Sequence, residues 1–156
     1  MEFVRHRVFS FAQDSTRYCN YSKDKFGNEV TFIEPCWLED YNDEGNTYYN
    51  GFLVALRAAE AGYFDLMKKW EDRIPDKGYK TGFRNDPWTP QQARAVLPNS
   101  LKTELVMTGF VSDWEHFFEL RDAGSAHPQA RELAHPLHME FLRRNYPVDL
   151  YDEANV

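Results

Sequence analysis

The sequence predicts an α+β fold, rich in helix, with short strands flanked by helices. Three observations carry this. Phe52, Leu56, Ala59, Tyr63, Met67 and Trp70 recur at helical spacing. Two short stretches with β-branched residues, Val30–Ile33 and Leu101–Val111, read as strands. Thr89-Pro90 and Ser112-Asp113 are helix-opening pairs.

Taken in order, the first twenty residues read as a loop dense in polar side chains. Val30 to Ile33 follows as a strand, stopped by Glu34-Pro35. Asn42 to Asn46 is turn-rich and starts the long helix. Its charged residues Arg57, Glu60, Lys68 and Glu71 fall mostly between the apolar ones, and Pro75 and Gly78 mark its exit. Residues 76 to 88 are a polar loop. Thr89 caps a second helix over Gln91 to Val96, which ends at Leu97-Pro98. After the second strand comes a helix over Trp114 to Asp122, broken by Gly124. A last helix runs from Pro128 to Asn145, bent at Pro136. Residues 1–147 are expected to form one domain and 148–156 an acidic tail.

Composition narrows the classes. A chain of 156 residues with 42% hydrophobic side chains can bury a core. A net charge of -7 argues against a general nucleic-acid or membrane-surface binder, which would carry a basic face. Cys19 and Cys36 form no CxxC and are expected as reduced thiols. The first residues carry no signal-peptide apolar region and no run is long enough to span a bilayer, so a cytoplasmic protein is expected.

The densest chemical signal is Arg5-His6-Arg7, seven residues, Ser15, then Arg17-Tyr18. Arginine forks match phosphate and carboxylate oxygens in bidentate geometry. Ser15 and Thr16 add hydroxyl donors. The residues alone leave two readings open. One is an anion site for a phosphorylated small molecule, the other a basic loop paired with the chain's many carboxylates.

The run Arg-His-Arg-Val-Phe-Ser-Phe-Ala-Gln-Asp-Ser-Thr-Arg-Tyr resembles the signature loop of the flavin-dependent thymidylate synthases (the ThyX family). The likeness continues in order along the chain. Ala93-Arg94-Ala95-Val96-Leu97-Pro98 is similar to the family's helix and Leu-Pro before its second active-site strand. Lys102-Thr103-Glu104 and Met107-Thr108-Gly109 follow. Trp114 to Arg121 resembles a His-Phe-Phe-x-Leu-Arg helix, and Ala126 to Ala134 resembles Ala-Gln-x-Glu-Ile-Arg-x-Leu-Ala.

The resemblance implies a reductive methylation of dUMP to dTMP. FAD is the cofactor, NADPH the reductant and methylenetetrahydrofolate the one-carbon donor. It places Arg5, Gln13, Ser15, Thr16, Arg17 and Arg131 against dUMP, with Arg17 and Arg5 at its phosphate. It places Arg5, His6, Arg7, Gln13, His116 and Arg121 against FAD, the last two from a neighbouring subunit. Arg131 matches the arginine that polarises the uracil and favours ionisation at N3. Ser15 takes a binding role, and neither cysteine is needed as a nucleophile. The family assembles as a homotetramer with shared active sites, so the same is expected here, with neither nucleic acid nor membrane as partner.

The chain also departs from the family pattern. It begins almost at the signature, so the match is to the C-terminal portion of the family fold. The segment that usually precedes it is expected to be missing. Glu2-Phe3-Val4 stands where many members carry a Gln, and Glu104 where some carry a dUMP-binding arginine. His127 and Gln129 replace the usual Gln and Glu. The stretch 72–90, with Tyr79, Phe83 and Trp88, reads as an ordered surface loop. Three rival readings follow. His135 and His138, near His127 and Glu140, offer His-x-x-His, but a zinc site needs further placed ligands, so no metal is expected. The other two are a truncated or degenerate member that binds FAD or dUMP without catalysis, and a purely structural partner subunit.

Overall fold

The computed structural model describes residues 2–41, 45–68 and 87–148. It is helix-rich with one small sheet, an α+β fold as the sequence predicts. The chain divides into two compact units. One takes Met1–Gln13, Glu34–Asp40 and Glu104–Val156, and the other Asp14–Ile33 and Tyr41–Thr103.

In the first unit, β1 (Ser10–Gln13) pairs antiparallel with β2 (Leu105–Thr108), Phe11 opposite Met107 and Ala12 opposite Val106. Phe11 and Met107 pack on an aromatic core of Phe9, Phe117 and Phe118. Helices α3 (Val111–Arg121) and α4 (Pro128–Arg143) supply the rest. Successive phenylalanines on α3 are both buried because Trp114, Phe141 and Ala134 pack around them. Gly109 is required by Phe9. A Cβ there would lie 2.5 Å from the ring. Pro136 lies inside α4, and its ring removes the bond that the carbonyl four residues earlier would accept.

The second unit is organised by α1 (Thr47–Met67). The Asn46 side chain caps it, accepting from the Tyr48 and Tyr49 amides at 2.9 and 3.3 Å. Tyr63 is fully buried with Val30 and Ala93, and its hydroxyl donates to the Cys19 carbonyl at 3.4 Å. The short α2 (Pro90–Ala93) has Thr89 as N-cap and Pro90 in its first turn, and continues as a 3-10 turn to Val96. The Gln92 side chain accepts the Thr89 amide at 3.0 Å.

Several expectations need correction. The first twenty residues are not all loop: Phe3–Arg5 is a 3-10 turn and Ser10–Gln13 is β1. That strand exists because its partner lies some ninety residues away, beyond any local pattern. Val30–Ile33 contributes an isolated bridge, Phe32 to Leu101, rather than a strand. The second strand spans Leu105–Thr108, not Leu101–Val111. Helix α3 begins at Val111 with Phe110 as N-cap, and Asp113 stabilises the start from the first turn by accepting the Phe110 amide at 2.9 Å. The long helix also stops earlier than expected: α1 ends at Met67, with Lys68 in extended conformation, ahead of Trp70, Pro75 and Gly78. Val148, the first residue of the expected tail, is buried in the aromatic core, while most of the 72–90 loop and residues 149–156 lie outside the described residues.

Candidate functional site

The expected flavin set lies wholly within the first unit. The 3-10 turn at Phe3–Arg5 faces Arg5 outward, buries His6 and leaves Arg7 exposed. His6 packs edge-on to Phe9 and tilted on Phe117, with ring centroids at 6.3 and 5.0 Å. Arg121, at the end of α3, donates Nε–H to His6 Nε2 at 2.9 Å. Its Nη1 pairs with the Glu2 carboxylate and its Nη2 with the Glu2 carbonyl. His116 lies beside them, its ring centroid 6.3 Å from that of His6. Its Nδ1 is 3.0 Å from the Glu119 carboxylate. Burial, and then the Arg121 and His116 charges, push the His6 pKa below its ordinary value. With Nε2 accepting from a guanidinium, the neutral ring carries its proton on Nδ1. Gln13 ends β1 and is exposed.

Arg131 is bonded to Asp122, the residue that follows Arg121. Its Nε–H donates to the Asp122 carbonyl at 3.2 Å, and the Asp122 carboxylate lies 3.8 Å from it. Asp122 is buried. It also meets His135 Nδ1 at 2.9 Å and His138 Nδ1 at 2.7 Å. His138 is 1% exposed and stacks on Phe118 at 4.4 Å. This pair of histidines is thus spoken for by one aspartate, and His138 is a core residue rather than a solvent-facing one. Among the described residues no three His, Cys, Asp or Glu side chains group to hold a metal ion. Arg131 and His135 line an open cavity of about 550 Å³ with Cys36, Glu132 and Pro136, and no residue of the signature run lines it.

The remaining nucleotide residues, Ser15, Thr16 and Arg17, lie in the second unit. Ser15 accepts the Arg17 amide through its hydroxyl at 3.4 Å, a local turn contact, and has no histidine partner among the described residues. Arg17 Nε–H donates to Gln91 Oε1 at 2.8 Å, and its guanidinium lies 5.3 Å from the Tyr18 ring centroid. Thr16 accepts from Arg94 Nη1 at 2.9 Å. Cys19 and Cys36 are free thiols, and burial pushes the Cys19 thiol up.

Electrostatics sort the arginines into two groups. Arg121, Arg131, Arg143 and Arg144 each have a carboxylate within ion-pair distance. Among the described residues Arg5, Arg7, Arg17, Arg57 and Arg94 have none. In a chain with 25 acidic and 18 basic side chains, arginines without an acidic partner are open to an external anion, and of these Arg5, Arg7 and Arg17 lie in the signature run and Arg94 is bonded to it through Thr16. Sequence reasoning missed Glu2, Asp122, Gln91 and Arg94. No local spacing marks them, because their partners lie between 9 and 119 residues away.

Comparison with known proteins places the chain in a family. The family described as thymidylate synthase complementing protein matches residues 1–148. A flavin-dependent thymidylate synthase of Mycolicibacterium gilvum is 34% identical over 143 residues, covering 92% of this chain and 51% of that protein. One of Mycobacterium tuberculosis is 35% identical over 133 residues, covering 85% and 48%. The chain therefore spans about half the length of the curated relatives it matches.

Proposed function

The chain belongs to the thymidylate synthase complementing protein family, and on that premise we propose that it is the active-site portion of a flavin-dependent thymidylate synthase. The reaction is the reductive methylation of dUMP to dTMP with methylenetetrahydrofolate, FAD and NADPH. Residues 1–147 form the domain that carries it, in a cytoplasmic homotetramer with shared sites. Among the described residues no helix is long and apolar enough to cross a membrane.

One observation supports this reading above the others. The signature arginines Arg5, Arg7 and Arg17 have no carboxylate partner among the described residues. A basic loop paired with the chain's own carboxylates would have filled those forks. Exposed and uncompensated, Arg5 and Arg7 fit the anionic pyrophosphate of FAD, and Arg17 fits the phosphate of dUMP. When bound, FAD supplies the hydride and one-carbon chemistry that no side chain here offers. The chain's own residues bind, orient and polarise. His6, its pKa lowered first by burial and then by the Arg121 charge, gives the cofactor region a fixed surface without a second full charge. Gln13, Ser15 and Thr16 supply hydrogen bonds to the nucleotide, and His116 with Arg121 borders the flavin. No cysteine takes part.

Two arginines compete for the role of polarising the uracil. The order of motifs favours Arg131. Arg121 is bonded directly to the signature His6, but Glu2 neutralises it and all three of its nitrogens are engaged, whereas Arg131 is more exposed and opens on a cavity, which supports Arg131.

The alternative is a truncated or degenerate member that binds FAD or dUMP without catalysis. The chain is mixed with FAD, freed of unbound ligand by gel filtration, and assayed for thymidylate formation from dUMP. Retained flavin with turnover supports the synthase, and retained flavin without turnover supports the binder. A colourless, folded protein sinks the synthase, and if it also fails to bind dUMP it sinks the alternative.

A further inference from the structure

The second unit holds a pair of arginines that the sequence pattern does not bring together. Arg94 Nη1 donates to Thr16 Oγ1, while Arg17 Nε donates to Gln91 Oε1. The two bonds tie residues 16–17 to residues 91–94 in opposite directions, 2.9 and 2.8 Å long. The guanidinium groups are thereby fixed on neighbouring segments by neutral acceptors, which position them without cancelling their charge. Each guanidinium has five N–H donors, and one of each is used in these bonds.

Two like charges tied together this way repel each other. Among the described residues no carboxylate offsets either one, although acidic side chains outnumber basic ones in the chain. Both residues are exposed, and Arg94 lies beside the hydroxyl of Thr16, the residue before Arg17. A compact oxyanion with several acceptor oxygens is the chemistry that relieves the repulsion and fills the remaining donors. A carboxylate brings two oxygens, whereas a phosphomonoester brings three terminal oxygens and nearly two charges.

We propose that Arg94 is a second phosphate-binding arginine, forming with Arg17 and Thr16 a clamp for the phosphate of a nucleoside monophosphate. Naming the nucleotide as dUMP rests on the functional reading above; the clamp itself rests only on the arginine pair. Arg5 is then not needed at the phosphate and is left to the flavin.

The test is calorimetric titration of the full chain with dUMP, deoxyuridine and inorganic phosphate. It compares wild type with Arg94→Ala, Arg94→Gln, Arg94→Lys and Arg17→Ala, each checked for folding by circular dichroism. Arg94→Gln keeps a donor for Thr16 but removes the charge. The expected result is that Arg94→Ala and Arg94→Gln weaken dUMP and phosphate roughly 10–100-fold. Deoxyuridine is unaffected and Arg94→Lys recovers part of the loss. An arginine that only pins the loop would weaken deoxyuridine as much as dUMP and would be rescued by glutamine; either result overturns the proposal. So does an Arg94→Ala protein that binds dUMP like wild type while Arg17→Ala does not, which leaves the nucleotide reading standing. Phosphate binding that depends on both arginines, with dUMP no tighter than phosphate, upholds the clamp and removes dUMP as its ligand. A wild type that binds neither phosphate nor dUMP overturns both.

Discussion

Arg121 Nε–H is directed at His6 Nε2 across 115 residues of chain, at 2.9 Å. The contact joins the last residue of α3 to the middle residue of the Arg-His-Arg run. It fixes the tautomer of His6, and the arginine charge is one of the causes that keep the ring neutral. Removing Arg121 is therefore expected to raise the His6 pKa. Titration of the His6 ring by NMR in wild type and Arg121→Ala checks this; an unchanged or lower value would contradict the contact.

The same shift makes stability depend on pH. The folded His6 pKa is depressed, so the unfolded chain takes up the proton first as pH falls. The contribution is fully present above the unfolded value near 6.5 and is lost as pH falls from there through the folded value. Urea midpoints measured between about pH 5 and pH 8 are expected to fall on the acid side, and His6→Gln is expected to flatten that fall. A wild type and variant with parallel profiles would count against it.

Gly109 is predicted to tolerate no side chain. A Cβ would meet two Phe9 ring carbons at 2.5 and 2.6 Å, and Phe9 is held by Trp114 and Phe117. Gly109→Ala should cost about 1–3 kcal/mol in denaturant unfolding. A neutral result would mean that the ring moves aside freely.

Asp122 is predicted to be structurally required. Its buried carboxylate serves both His135 and His138, and the latter is sealed in the core. Asp122→Ala strands the His138 Nδ1 group, at a cost of about 1–3 kcal/mol. Asp122→Asn, which retains one acceptor, should cost less. Equal unfolding midpoints for all three proteins would refute the role.

The competing arginines separate by kinetics. Arg131→Lys is expected to lower kcat for thymidylate formation more than Arg121→Lys does, by roughly 10²-fold if the fork polarises the ring. The dUMP KM should change less than kcat. The reverse order would move the polarising role to Arg121.

Much of the local structure was legible in the sequence. Asn46 and Thr89-Pro90 open helices because capping chemistry is local, and the 3.6-residue period of Phe52 to Met67 marks α1. The family, too, was legible, because the signature and its downstream motifs keep their order over residues 1–148. Strand limits were not. β1 and β2 are four residues each, and only their mutual pairing makes them strands.

The sequence by itself determined the helices, the α+β class and the set of cationic residues around the signature, since all of these depend on neighbours within a turn or on an ordered run. Only the tertiary structure decided which arginines are neutralised. Arg121 and Arg131 meet Glu2 and Asp122, while Arg17 and Arg94 meet Gln91 and Thr16. Charge compensation is set by distance in space, and contacts such as the 119-residue step from Arg121 to Glu2 leave no periodic trace in the chain.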